Sequence, residues 1–350
     1  MTPVSPATPP AQARNAVLCV GELLFRLAAP GHELLLQSPR LEVHAGGAEA
    51  NVAVALAHFG HVARMASVVP HNRLGEAARA ELRRLGVDAA TVIDGPGRMG
   101  LYFYETGAMQ RPSEVLYDRE SSAFARVDPT RFDWHALLDG VDLLHVSGVT
   151  PAVSANAATL AVDAVRAAAA RGIEVSFDGN FRSKLWEARG VDPRPALHAL
   201  LQCATIAFAD HRDMAVVLGL DTSGLDAGAA FGRAAEAAFA AFPRLRLMAA
   251  TRRDAGQVGH QSLGALAATR EQHVALPARP LHGVVDRIGA GDAFAAGLLH
   301  GLRDGRPLEA ALRFALAAGC LKHALPGDVA RFGVEAVEAA LDDGPADVRR

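Results

Sequence analysis

With 350 residues, half of them hydrophobic, the chain can bury one large core or a core plus a smaller appendage. A formal net charge of −3 with no long basic run recommends neither nucleic acid nor an anionic membrane as partner, and no uninterrupted apolar stretch is long enough to span a bilayer. The three cysteines, Cys19, Cys203 and Cys320, are far apart and odd in number, which argues against a disulfide framework and for a reducing, cytoplasmic setting.

The first fifteen residues are rich in Pro, Ala and Thr, lack the basic-then-apolar order of a signal peptide, and are expected to form a disordered tail. Val17 to Val20 predicts a short strand ending at Gly21-Glu22, and Glu33 to Val43, mixing Leu with polar residues, predicts one or two exposed strands. Gly46-Gly47 then leads into a helix, because Val52, Leu56 and Phe59 recur at helical spacing until Gly60. Asn51 falls on its first turn, either as a helix-start hydrogen bonder or as a ligand to a polar small molecule. Val62 to Val69 predicts a buried strand and Leu74 to Leu85 a helix. Met99 to Glu105 and Glu114 to Asp118 predict a strand pair turning at Gly107, and they hold all three tyrosines, Tyr102, Tyr104 and Tyr117. From Val141 strands alternate with helices: Asp142 to Val146, Ile173 to Phe177, Thr205 to Phe208 and Leu245 to Ala250 are the strands. That rhythm predicts an α/β fold with a mostly parallel sheet covered on both faces, whose ligands bind beyond the carboxyl ends of the strands. A further helix runs to about His323, Pro326-Gly327 breaks the pattern, and residues 342–350 form a charged tail.

The stretch Asp286-Arg287-Ile288-Gly289-Ala290-Gly291-Asp292 carries the strongest chemical signal. Phe294, Leu298 and Leu302 recur every four residues behind it, so Gly289 to Asp292 form the first turn of a helix. Amides at a helix start lack internal partners, the dipole is positive there, and small residues let an anion approach. Asp292 beside such a site is either a helix cap or a general base. Other signals lack their context. Gly95-Pro96-Gly97-Arg98-Met99-Gly100 spells a dinucleotide fingerprint but opens a strand rather than a helix. His211-Arg212-Asp213 imitates a protein-kinase loop without its asparagine. A Gly-Lys-Ser/Thr phosphate loop, His/Cys metal spacing and a serine-nucleophile elbow are all missing.

Gly46 to Ala53 with Leu56 to Gly60 resembles the N-terminal signature of the ribokinase-like (phosphofructokinase-B) sugar kinases, and Asp286 to Gly297 resembles their C-terminal signature. Similarity runs from about Val17 to Leu341. Within that family the chain is most similar to 2-keto-3-deoxygluconate kinases, through Gly21 to Leu27, Tyr117-Asp118-Arg119, Phe177 to Arg182 with Leu185-Trp186, and Pro326-Gly327-Asp328.

The resemblance implies a ribokinase-like domain over residues 16–341 with a small β lid built from insertions at about 25–44 and 98–124, the lid serving also as a dimer interface. It implies ATP-dependent phosphorylation of the terminal hydroxyl of 2-keto-3-deoxygluconate, with fructose or the galactonate epimer as alternative substrates, or a non-catalytic sugar-acid sensor on the same fold. It makes Asp292 the base and Gly289, Ala290 and Gly291 the anion hole. Gly46, Gly47, Asn51, Tyr102, Tyr117, Arg119 and Arg182 would bind the sugar acid, the arginines gripping its carboxylate. Arg26, where many neutral-sugar kinases of the family carry an aspartate, would favour an acidic sugar. Asn180, Thr251, Arg253, Gly256, Gly289 and Gly291 would bind ATP. Mg²⁺ is implied on the phosphates, with Asp210 and Asp213 acting through water, and a monovalent cation such as K⁺ near Asp286. The chain departs from the family at Asp210-His211-Arg212-Asp213, in place of Asn-x-x-Glu, and at Thr251 to Gly256, where the nucleotide loop loses its first glycine and gains Arg253.

Overall fold

Strands that alternate with helices bury both faces of a sheet most simply when the sheet is parallel. The computed structural model describes residues 15–257 and 260–341, so the two expected tails lie outside the described residues apart from Asn15. Thirteen described strands are β1 (Ala16–Val20), β2 (Leu24–Ala28), β3 (Glu42–Gly46), β4 (Val62–Pro70), β5 (Val92–Gly95), β6 (Gly100–Glu105), β7 (Glu114–Asp118), β8 (Val141–Ser147), β9 (Glu174–Asp178), β10 (Ile206–Phe208), β11 (Leu247–Gln257), β12 (His260–Ala268) and β13 (His273–His282). Nine of them form one sheet in the order β13-β12-β11-β10-β9-β8-β1-β4-β5, and four form a second in the order β3-β2-β6-β7. In the large sheet only β11–β12 and β12–β13 pair antiparallel.

β1 shows how the layers are made. All five of its residues are buried. Val17 and Cys19 enter the core shared with helices Ala48–His58, Ala290–Arg303 and Leu308–Lys322. Ala16, Leu18 and Val20 enter the opposite core, shared with helices Ala155–Ala170, Arg194–Cys203 and Ala227–Ala241. Among the described residues no helix is long and apolar enough to cross a membrane.

Two stretches differ from the sequence expectation. Residues 33–41 are a turn, bends and irregular backbone, and the strand begins only at Glu42. Amides that a strand would have paired go to side chains instead: Leu34 N donates to Gln37 and Leu35 N to Glu105. Residues 251–256, expected as a nucleotide loop, continue β11, because with arginines where the family has its first glycine nothing interrupts pairing with β12, which runs in register from Met248 to Ala255.

The parallel strands end along one edge, where Gly21-Glu22, Ser147, Asp178 and Ala209-Asp210 lie, and both glycine-led helices start there. Each start needs glycine. Gly47 has φ 142, and a methyl group there would come within 2.1 Å of the Glu22 carbonyl oxygen. Gly289 has φ 78, and its methyl group would fall 1.8 Å from the Asp328 carbonyl oxygen. Gly289→Ala therefore combines a strained backbone with a backbone clash and should destabilise the fold by at least about 1–3 kcal/mol. Denaturant unfolding checks it, and an unchanged midpoint would contradict the packing described.

Candidate active site

Helix Ala290–Arg303 is anchored by buried Ala293, Phe294 and Leu298, which fixes where its first turn stands. No side chain caps that turn. Beside Gly291 there is open space, with no atom within 4 Å of where a side chain would begin. Helix Ala48–His58 is likewise uncapped behind Gly47. Two helix starts without a side-chain cap thus stand close together, each with the positive end of its dipole and amides that lack intrahelical partners.

The side chains of the two starts meet. Asn51 Nδ2 donates to Asp292 Oδ2 at 2.7 Å. That fixes the amide's orientation and leaves Asn51 Oδ1 buried without a partner, an acceptor for a ligand hydroxyl. The Asp292 carboxyl is pushed up to about 7, first by burial and then by the charges of Glu49 and Asp328. The Asn51 hydrogen bond and the Arg182 charge oppose that shift. A carboxyl that titrates near neutrality suits a base better than an ordinary cap.

A row of acids continues from Asp292 along the strand ends. Asp178 closes β9, and its carboxyl lies well above the usual range through burial and then the charges of Asp292 and Asp213. It accepts the Asn180 amide at 3.0 Å, and Asn180 takes φ 35, a conformation asparagine tolerates. Asp210 and Asp213, the expected outer ligands of Mg²⁺, form a capping box on helix His211–Leu218. Asp210 accepts from Arg212 N at 2.7 Å, and Asp213 accepts from Asp210 N at 2.8 Å. Burial and then Asp210 push the Asp213 carboxyl up to about 6. Among the described residues no three His, Cys, Asp or Glu side chains are grouped to hold a metal directly. The desolvated Asp178 and Asp213 fit a Mg²⁺ that arrives on phosphates and keeps its water. Asp210, Thr251 and Arg253 line one cavity of about 180 Å³, while Gly256 stands apart at a register shift of β11.

On the other side, Tyr117 of β7 and Arg182 line a cavity of about 450 Å³ together with Ser113, Phe181 and Lys184. Arg182 is exposed, and its guanidinium makes only a 3.4 Å bond to the Phe181 carbonyl. Arg119 lies above the Tyr117 ring, 5.9 Å from its centroid, and Glu22 holds its Nε at 2.7 Å. Gly46 packs against Asp328, and Tyr102 is buried with its hydroxyl donating to Asp328 at 2.5 Å. Arg26 departs from the expectation. It is buried in ion pairs with Asp286 at 2.7 Å and Asp328 at 3.0 Å, over the Tyr104 ring, so it compensates two acids rather than meeting a sugar. With Arg26 against Asp286 and the Lys322 charge acting there too, the residues present do not fit a monovalent cation beside Asp286. Sequence reasoning gave no role to Glu22, Glu49 or Lys322, whereas Asp178 opens the segment 178–182 that the strand-end rule singles out. For Glu22 the same signal was available: an acid at the carboxyl end of a parallel strand.

A family profile described as pfkB family carbohydrate kinase matches residues 14–330. The chain belongs to that family. Its ribokinase-like fold is a nine-stranded, mostly parallel sheet with a four-stranded lid. A 2-dehydro-3-deoxygalactonokinase of Haloferax volcanii is 33% identical over 332 residues, covering 94% of this chain and 98% of that protein. The crystal structure of a 2-dehydro-3-deoxygluconokinase from Thermotoga maritima superposes with a TM-score of 0.88 at 34% identity, over 93% of this chain and 99% of that one. A putative ribokinase II from E. coli, in complex with ATP and Mg²⁺, shares the fold at a TM-score of 0.79 and 20% identity, over 93% of this chain and 99% of that one. As a pfkB carbohydrate kinase the protein is a phosphotransferase, and kinases of this family use ATP with Mg²⁺.

The raised Asp292 carboxyl has two consequences of opposite sign. A base must be ionised, so kcat/KM should fall as pH drops through about 7. Stability moves the other way. Between the ordinary carboxyl value of 3.8 and about 7 the folded state holds a proton that the unfolded state releases, so this group's contribution is lost as pH rises through that window. Asp292→Asn should lower kcat by about 10²–10⁴ and raise the thermal midpoint at pH 8. A midpoint unchanged or lowered by the substitution would contradict a desolvated carboxylate.

Proposed function

We propose that the protein phosphorylates the terminal hydroxyl of 2-keto-3-deoxygluconate with ATP, giving the 6-phosphate. One observation carries the substrate class: Arg182 lines the large cavity with Lys184 and Tyr117, and its charge also acts on Asp292. A carboxylate held there places the rest of a short sugar acid toward the base. Arg119, turned by Glu22 through Nε, keeps its terminal nitrogens for the same carboxylate. Asn51 Oδ1 and the backbone at Gly46 and Gly47 receive hydroxyls.

Asp292 removes the proton from the terminal hydroxyl as that oxygen attacks the γ-phosphorus and the bond to the ADP oxygen breaks. The amides of Gly289, Ala290 and Gly291 receive the phosphoryl oxygens as their charge shifts. Thr251 and Arg253 face the nucleotide side of the cleft, and Asn180 stands between the two sides. Mg²⁺ bound with ATP supplies charge neutralisation of the phosphates, and Asp178, Asp210 and Asp213 meet its water shell. The galactonate epimer is a second reading, favoured by the H. volcanii relative named for it. ADP release should be faster with either keto-deoxy acid than with fructose or ribose. Arg182→Gln should raise KM for the acid by about tenfold or more with a smaller effect on kcat, since a carboxylate–guanidinium contact is worth about 1.5–3 kcal/mol. No turnover of any keto-deoxy acid, or an unchanged KM in the variant, would refute the substrate assignment.

The same reading includes a homodimer through the lid. Val43, Leu27, Phe103 and Leu116 stand in register across the four strands, with Val43 and Leu116 60% and 61% exposed. Such an apolar row on one sheet face suits a second copy. Leu116→Glu should shift the mass measured by light scattering from dimer to monomer, and a wild-type protein that is already monomeric would end this part of the reading.

A further inference from the structure

Asp328 itself is assigned no contact with sugar, phosphate or nucleotide, yet it touches Gly46 and Tyr102 on the sugar side and Gly289 on the phosphate side. It is 3% exposed. Its Oδ1 accepts from Arg26 of β2 at 3.0 Å, and its Oδ2 accepts from Tyr102 of β6 at 2.5 Å, so both central lid strands are rooted on one carboxylate. Gly46, the last residue of β3, packs so close that a methyl group there would come 2.6 Å from Oδ2. The Asp328 carbonyl oxygen presses on Gly289, at the start of the phosphoryl-binding turn. Arg26 extends the joint by pairing with Asp286, which in turn accepts from Ile288 N and Gly327 N at 3.0 Å each. Lys322 is fully buried nearby, donates to the Leu325 carbonyl at 3.0 Å, and its charge is acted on by Asp286, Asp328 and Arg26. Two acids and two bases leave the joint neutral, which is what makes it tolerable in the interior.

We propose that Asp328 is a positioning residue that couples the root of the lid to the Gly289–Asp292 turn, so that seating of a sugar under the lid sets the place of the anion hole. The coupling passes through contacts with Arg26 and Tyr102 on the lid side and with Gly289 on the turn side rather than through the sugar itself. The lid reaches Asp328 by Arg26 and Tyr102, and the turn reaches it by Gly289 and, through Arg26, by Asp286.

The test uses the full chain and whichever sugar or sugar acid the wild-type protein phosphorylates fastest, so it does not depend on which substrate that is. Asp328→Asn keeps the shape and removes the charge. It should lower kcat by about 100-fold, the scale of a misplacement of about 1 Å, while KM for ATP stays as in the wild type. Hydrogen exchange adds a reading that a general loss of stability would not produce. In the wild type, that sugar alone should protect amides of β2, β6 and the Gly289–Asp292 turn together. In Asp328→Asn it should still protect β2 and β6 and no longer the turn. Arg26→Lys, which keeps the charge but cannot span both acids, carries the same readings if Asp328→Asn does not fold. A folded variant with wild-type kcat, or with the turn still protected alongside the lid strands, overturns the proposal.

Discussion

A single hydrogen bond, from Asn51 Nδ2 to Asp292 Oδ2, joins the two halves of the site. It spans 241 residues of sequence and requires both helices to start at the same strand edge. Each start must also be uncapped, because a capping side chain would fill the space a ligand needs. That explains why glycine precedes both helices, and why two glycines occupy positions that no other residue could take without collision. It also explains the state of Asp292. Burial raises its carboxyl, the asparagine holds the rise in check, and the balance leaves a carboxyl at about 7, as the proposed base requires. The same balance places destabilising charge in the folded protein at working pH, a familiar trade between stability and activity.

Behind that bond the buried acids are arranged in two kinds. Glu22, Asp286 and Asp328 each have an arginine, and they serve as anchors for the lid and its loops. Asp178, Asp213 and Asp292 lack such a partner; burial raises all three, as it also raises Asp328 despite its arginine. In the reading proposed above, the unpaired set meets the metal ion carried on the phosphates, whose positive charge would offset it. Glu49 belongs to the anchors by another route. Ser147 N, Ser147 Oγ and Thr150 Oγ1 all donate to its Oε1, which ties the first turn of the Asn51 helix to the end of β8. Arg119 differs from Arg26 for a simple reason of stoichiometry. One acid holds one edge of Arg119, whereas two acids consume Arg26.

Much of this was legible in the sequence because it is local. Glycine-led helix starts, strand–helix alternation and the tyrosine-bearing lid strands are each signalled within a dozen residues. The partners of Arg26 are not, since they lie 260 and 302 residues away, and a cation read alone looks like a ligand for an anion. The capping box of Asp210 and Asp213 fits its own spacing of three, yet the resemblance drew attention to the metal instead. The hairpin of β12 and β13 was missed because alanine-rich Gly264 to Ala268 has weak strand preference, and pairing with β11 decides it. Residues 33–41 failed the other way, with leucines that suggest strand in a segment whose amides are taken by side chains.

The account stands on Asn51 and Asp292 acting as one unit, and a double-mutant cycle on kcat at saturating sugar acid reads that unit directly, because the hold of Asn51 Oδ1 on a hydroxyl is then saturated. Asn51→Ala, Asp292→Asn and the pair together would be compared under one saturating ATP concentration. If the asparagine works by setting the base, the double variant should be no slower than Asp292→Asn alone, as for residues that act together. Losses that simply multiply would show that the two side chains act independently, and would contradict the arrangement on which the rest is built.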